Sequence, residues 1–112
     1  MGYRSDVGFA CSPMVRKIVE QVAEWDPEFK ELLEYARINT SPDDEGRWYW
    51  SDVKWYESYG DVYIFESIMT ALDNSEMWDS YGMIRLGEEM DDNVMRGDPS
   101  SYDMYVNRSI DI

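Results

Sequence analysis

Histidine is missing from this chain of 112 residues, cysteine occurs once, and ten Lys and Arg stand against twenty-four Asp and Glu. Each shortage narrows what the protein can do. Without histidine the commonest general base near neutral pH is gone, and Cys11 has no imidazole beside it in sequence to draw off its proton. There is no Gly-x-Ser-x-Gly elbow and no phosphate-binding glycine loop, so nucleophilic catalysis has nothing to build on and an enzyme is not expected. A lone cysteine cannot close an internal disulfide. Its place in the apolar alternation Val7, Phe9, Cys11 predicts a buried, reduced thiol in an intracellular protein, here the cytoplasm of a cell. No stretch approaches the ~18 apolar residues of a membrane span, and no basic segment followed by an apolar one opens the chain, so neither secretion nor membrane insertion is expected. The shortage of basic residues leaves a net charge of −14. Such a surface repels nucleic acid and anionic membranes and favours encounter with a basic protein.

What the chain does have is aromatic surface. Five Trp, nine Tyr and three Phe, within a hydrophobic content of 44%, supply enough apolar area for one core, which argues against disorder and for a single domain over residues 1–112. Tyr3 to Cys11 alternates and reads as a strand. Ser12-Pro13 then starts a helix, with Val15, Ile18, Val19 and Val22 on one face. Asp26-Pro27-Glu28 repeats the start signal and predicts a bend or restart, with Phe29, Leu32, Leu33 and Ala36 carrying the apolar face to about Arg37. Asn39 to Gly46 is rich in turn residues and reads as an exposed acidic loop. From Arg47 to Tyr56 the chain is strand-like, with Trp48 and Trp50 on one face, Tyr49, Val53 and Trp55 on the other, and a face switch near Ser51 that suggests a bulge or two short strands. Val62, Phe65, Met69 and Leu72 mark a second helix, expected to be capped by Asp61. Gly82 to Leu86 and Tyr102 to Val106 complete the strands, across a long acidic connection. This order predicts a two-layer α+β domain with about four mainly antiparallel strands, both helices on one face, in a split βαβ arrangement.

Three patterns suggest chemistry. Pro42-Asp43 with Asp52-Val53-Lys54 has the residue types of a PD-(D/E)xK nuclease core, yet a surface this acidic repels such an enzyme's own substrate, and a turn plus a surface charge pair is the better reading. Glu88, Glu89, Asp91 and Asp92 are hard oxygen donors, but the Asp-x-Asp-x-Asp-Gly order of a calcium loop is missing, so neither metal nor other cofactor is expected. Carboxylates spaced along a rigid surface can instead imitate a row of phosphates and occupy Arg and Lys sites that normally hold DNA or RNA. Residues 57–112 hold thirteen acidic side chains against three basic ones, or −10, whereas residues 1–56 hold eleven against seven, or −4. The C-terminal half is therefore the expected partner-binding face, through Asp73, Glu76, Asp79, Glu88, Glu89, Asp91, Asp92, Asp98 and Asp103. Trp48, Tyr49, Trp50, Trp55 and Tyr56 lack the basic neighbours of a base-stacking platform and are read mainly as core, with Tyr49 or Trp55 as a protein anchor if exposed.

The segments 1–7 (MGYRSDV), 48–56 (WYWSDVKWY), 84–88 (IRLGE) and 106–110 (VNRSI) resemble small bacteriophage accessory proteins. That resemblance carries over no functional residue. In size, charge and lack of catalytic residues the chain is also similar to phage inhibitors of host defence, anti-CRISPR and anti-restriction proteins among them, several of which mimic DNA. It implies an inhibitor acting in the bacterial cytoplasm on a basic, nucleic-acid-binding defence complex such as a CRISPR effector, without binding nucleic acid or membrane itself. The alternative is a homo-oligomeric accessory protein, in the simplest case a homodimer, whose aromatic strand edges pair between subunits.

Overall fold

Two Xaa-Pro steps set the helical layer. In the computed structural model, which describes residues 3–38, 45–56, 58–89, 92–106 and 110–111, the Ser12 hydroxyl accepts from the Val15 amide at 3.4 Å and opens α1 (Pro13–Trp25). Asp26 does two jobs. Its amide donates to the Val22 carbonyl, ending α1, while its carboxylate accepts from the Phe29 amide at 3.1 Å and opens α2 (Pro27–Tyr35). A residue before proline is pushed toward extended backbone, and Asp26 sits at φ −124, ψ 109, so the predicted bend is a full break between two helices.

Five strands form one antiparallel sheet, in the order β2 (Arg37–Ile38), β3 (Gly46–Val53), β1 (Ser5–Cys11), β4 (Tyr81–Gly87), β5 (Asn93–Gly97). β3 lies between β1 and β2, and β1 lies between β3 and β4, so α1–α2 and α3 (Gly60–Asn74) each complete a split βαβ unit. The α+β architecture therefore follows the predicted pattern. Two strands of the sheet lie outside the predicted set: β2, where the helix was expected to run to about Arg37, and β5, within the acidic connection, where Asn93, Val94, Met95 and Arg96 give no clean alternation; pairing with β3 and with β4 supplies their order. Asp61 also differs from expectation. α3 begins two residues earlier than a cap at Asp61 would start it, Tyr59 is the capping position, and the Asp61 carboxylate accepts from the adjacent Val62 amide within the first turn.

Helices cover one face of the sheet. Val7, Phe9 and Cys11 of β1, Trp48 and Trp50 of β3, and Tyr81 and Met83 of β4 pack there against Val15, Val19, Phe29, Leu33, Phe65 and Met69. Ala10, Ile84 and Leu86 point the other way, onto Tyr102, Met104 and Ile110. Tyr102 to Val106, expected as one strand, is divided: Pro99–Tyr102 is a 3-10 turn, Asp103 is left-handed at φ 57, and only β6 (Tyr105–Val106) pairs, with β7 (Ile110–Asp111). The cause is local. Asp98 accepts from the hydroxyls of Ser100 at 3.0 Å and Ser101 at 2.5 Å, and Pro99 fixes its own φ, which turns the chain across the sheet. Only glycine fits beneath it, because a Cβ at Gly82 would stand 2.6 Å from the Pro99 Cα.

The bulge near Ser51 is present. β1 and β3 pair Val7 with Trp50 but Ser5 with Val53, so Ser51 and Asp52 together oppose Asp6, and Asp52 adopts φ 56. Asp6 pins it by accepting from the Asp52 amide at 2.9 Å, and Arg4 donates to the Asp52 carbonyl at 3.0 Å. Adding one residue inverts the alternation beyond it. Val53 and Trp55 thus join the face of Trp48 and Trp50, whereas uninterrupted alternation would put them with Tyr49. Asp6→Ala should cost about 1 kcal/mol in urea unfolding, with Asp6→Asn recovering most of it, since either side-chain oxygen accepts the amide.

Candidate binding surface

Four arginines among the described residues are paired with carboxylates, while Arg4, Lys17 and Lys30 are exposed. Arg16 pairs with Glu20 at 3.3 Å, Arg47 with Glu45 at 3.2 Å and with the Tyr102 carbonyl at 2.6 Å, and Arg85 with Asp92 at 3.2 Å. Arg96 bridges Glu66 at 2.6 Å and Asp73 at 3.0 Å. Held in this way, these guanidinium groups neutralise particular carboxylates and leave the remaining acid to dominate the outer surface.

The acidic residues expected to bind a partner fall into two groups. At one end of β4, Glu88 and Glu89 are exposed, and Glu88 accepts from the Arg4 amide at 2.8 Å. Asp92 beside them is committed internally, accepting from the Tyr3 hydroxyl at 2.5 Å and from Arg85. The Tyr3 hydrogen bond, with help from Arg85, holds the Asp92 carboxyl below its ordinary value, and the same bond raises Tyr3. Asp91 lies outside the described residues. At the other end, Asp73 accepts from the Tyr81 hydroxyl at 2.8 Å as well as from Arg96, and Asp98 is lowered by the hydroxyls of Ser101 and Ser100. Glu76, Asp79 and Asp103 are exposed there, near the 3-10 turns Trp78–Ser80 and Pro99–Tyr102. The length of β4 separates the two groups by roughly 20 Å at about 3.4 Å per residue. The fold therefore makes two acidic ends, not one continuous row.

The nuclease-like residues do not gain a shared site among the described residues. Asp52 is the bulge residue, Lys54 follows on the half-buried chain, and Pro42 and Asp43 lie outside the described residues. No cluster of three or more Asp, Glu, Cys or His is arranged to hold a metal ion among the described residues. The aromatic segment is core: Trp48, Trp50 and Trp55 are buried, Trp50 donates to the Leu32 carbonyl at 2.8 Å, and Trp55 donates to Glu66 at 3.1 Å. Trp55 is only 7% exposed and Tyr49 packs against the second core, so neither is an exposed anchor.

Sequence reasoning missed the helical layer. Glu20, Glu24, Glu28, Glu31 and Glu34 recur every three or four residues along the outer face of α1 and α2, opposite the buried stripe, and all are exposed. Among them Trp25 and Tyr35 are each 75% exposed, with Tyr59 and Tyr63 nearby on or before α3. The periodicity was readable in the sequence; the charge of residues 1–56, only −4 against −10 for residues 57–112, concealed it, because seven basic residues share that half. Among the described residues no helix is long and apolar enough to cross a membrane. No protein-family model matches the chain, and neither a curated protein nor a solved structure shows detectable similarity to it.

Proposed function

We propose that this chain is a bacteriophage-encoded inhibitor that occupies the basic nucleic-acid groove of a bacterial defence protein, with a CRISPR effector as the leading target class. One observation supports the reading: among the described residues Arg16, Arg47, Arg85 and Arg96 are held by the chain's own carboxylates, while Glu88 and Glu89 at one end of β4 and Glu76, Asp79 and Asp103 at the other face solvent. A separation of roughly 20 Å corresponds to about six phosphates along one strand at 3.4 Å each. Two acidic ends at that spacing suit a cationic groove built for a duplex or heteroduplex. Binding is then competitive, steered by charge and weakened by salt, because each contact replaces a counterion.

The test is a pull-down from bacterial lysate at low salt, with and without competing DNA, followed by displacement measurements on the captured complex. Glu88→Lys with Glu89→Lys, and separately Asp79→Lys, should each weaken competition against labelled DNA by about tenfold or more. Circular dichroism should show an unchanged fold. Wild-type competition by both folded variants, or binding indifferent to salt, would overturn the mimicry.

A second reading, the homo-oligomer, is favoured by β5, which ends the sheet and carries Met95 at 64% exposure. Sedimentation that shows a stable dimer with no captured basic partner would select it.

A further inference from the structure

Between α2 and the start of α3 runs an open groove of about 530 Å³. Glu28 and Glu31 line one side and Asp61 the other, with the rings of Tyr35 and Tyr59 at its borders and Leu32 in its wall. No Lys or Arg lines it among the described residues. The smaller groove between α1, α2 and β3, about 360 Å³, contrasts with it, since there Arg16, Lys30 and Arg47 accompany Glu20, Glu24 and Glu34. The α2–α3 groove thus combines, among the described residues, one sign of charge with the exposed rings of Tyr35 and Tyr59.

We infer that this groove is a receptor for an arginine side chain carried on an extended basic segment of the partner protein. Three carboxylates around one concavity call for a cation, and two tyrosines, at 75% and 43% exposure, offer π faces to stack on it. A guanidinium suits such a site better than an ammonium, being planar, more weakly hydrated and able to donate to two carboxylates at once. Local structure keeps the acceptors available. The Tyr35 hydroxyl lies 3.5 Å from Glu31 Oε1, close enough to limit how that carboxylate turns. Asp61 uses Oδ1 on the Val62 amide, which leaves Oδ2 for a ligand. Tyr59 is further supported by Tyr56, ring centroids 5.2 Å apart. A buried aromatic anchor is what an interface of scattered surface charges otherwise lacks.

The inference rests on the proposed function for its partner class, a basic protein, but not on mimicry of nucleic acid. It is tested by calorimetric titration at low salt with a short arginine-rich peptide and its lysine counterpart. The arginine peptide should bind about tenfold more tightly than the lysine peptide, and Tyr35→Ala with Tyr59→Ala should remove most of that preference. Tyr35→Phe with Tyr59→Phe should keep it, since the ring faces remain. Glu28→Gln with Glu31→Gln should weaken both peptides by about tenfold, whereas Glu24→Gln with Glu34→Gln, an equal loss of exposed charge outside the groove, should change affinity by no more than about threefold. Equal binding of both peptides, wild-type affinity in the folded Tyr→Ala variant, or equal losses from the two Glu→Gln pairs would overturn the site. So would a self-associated state abolished by the Tyr→Ala changes, which would assign the groove to a second copy of this chain. If the peptide binds as expected while DNA competition fails, only the mimicry falls; if competition survives without peptide binding, only the groove does.

Discussion

Phe65→Ala lowers the unfolding free energy by about 4 kcal/mol, the largest expected loss from a single truncation here. Phe65 is fully buried on the inner face of α3, and its ring meets Phe9 at 5.0 Å, Phe29 at 4.9 Å, Trp50 at 5.4 Å and Trp55 at 5.9 Å. Those partners come from β1, α2, β3 and the turn after it, so one side chain joins the sheet to two helices. Removing it forfeits apolar burial and leaves a cavity that four rigid rings cannot collapse to fill. For a domain of this size that is a large share of a total stability of roughly 5–15 kcal/mol, and the melting temperature should fall by about 15 °C. Tyr63→Ala, two residues away on the exposed face, is the control and should shift stability by no more than about 0.5 kcal/mol. Tryptophan fluorescence during urea unfolding reads both. A loss below about 1.5 kcal/mol for Phe65→Ala would mean that the rings are not joined through this residue.

Alkaline pH is expected to unfold the protein progressively from about pH 9. Burial pushes the Cys11 thiol from 9.0 up to about 12, and burial likewise raises Tyr102 to about 12. Tyr81 is raised too, by burial first and then by its hydrogen bond to Asp73. The sign follows from proton counts. Below pH 9 native and unfolded chains hold the same protons on these groups; above it the unfolded chain loses them first, so stability falls as pH rises until the folded values are passed. For Cys11 alone the slope is about 1.4 kcal/mol per pH unit between the two values. Cys11→Ala should lower stability at neutral pH slightly and flatten this decline, while native Cys11 should resist alkylation until denaturant is added. Stability that stays level through the alkaline range would place the ionised thiol inside the native fold.

Local physics made much of this architecture legible. Ser12-Pro13 and Asp26-Pro27 mark helix starts because an oxygen acceptor and a proline ring act within three residues of themselves. Apolar spacing placed Val15, Val19, Phe29 and Phe65 in the core, and the broken alternation at Ser51 announced the bulge. What the bulge does to Trp55 was not legible, since its inward turn depends on which strand Asp52 opposes. Nor was the fate of the acidic residues. Tyr3 reaches Asp92 across 89 positions and Arg96 reaches Glu66 across 30, and no neighbour rule distinguishes those carboxylates from the exposed Glu88 and Glu89.

The residues themselves determined the charge, the absence of histidine, the helix starts and the stripes that must be buried, because each depends on composition or on contacts a few positions apart. Tertiary structure alone decided that β5 adds an edge, that Pro99–Tyr102 folds over Gly82 to form a second core, that the acidic ends stand a strand's length apart, and that α2 meets α3 along a groove walled by Glu28, Glu31 and Asp61. Each of these is a juxtaposition of segments distant in the chain, and its free energy comes from desolvation and pairing that exist only once the segments have met.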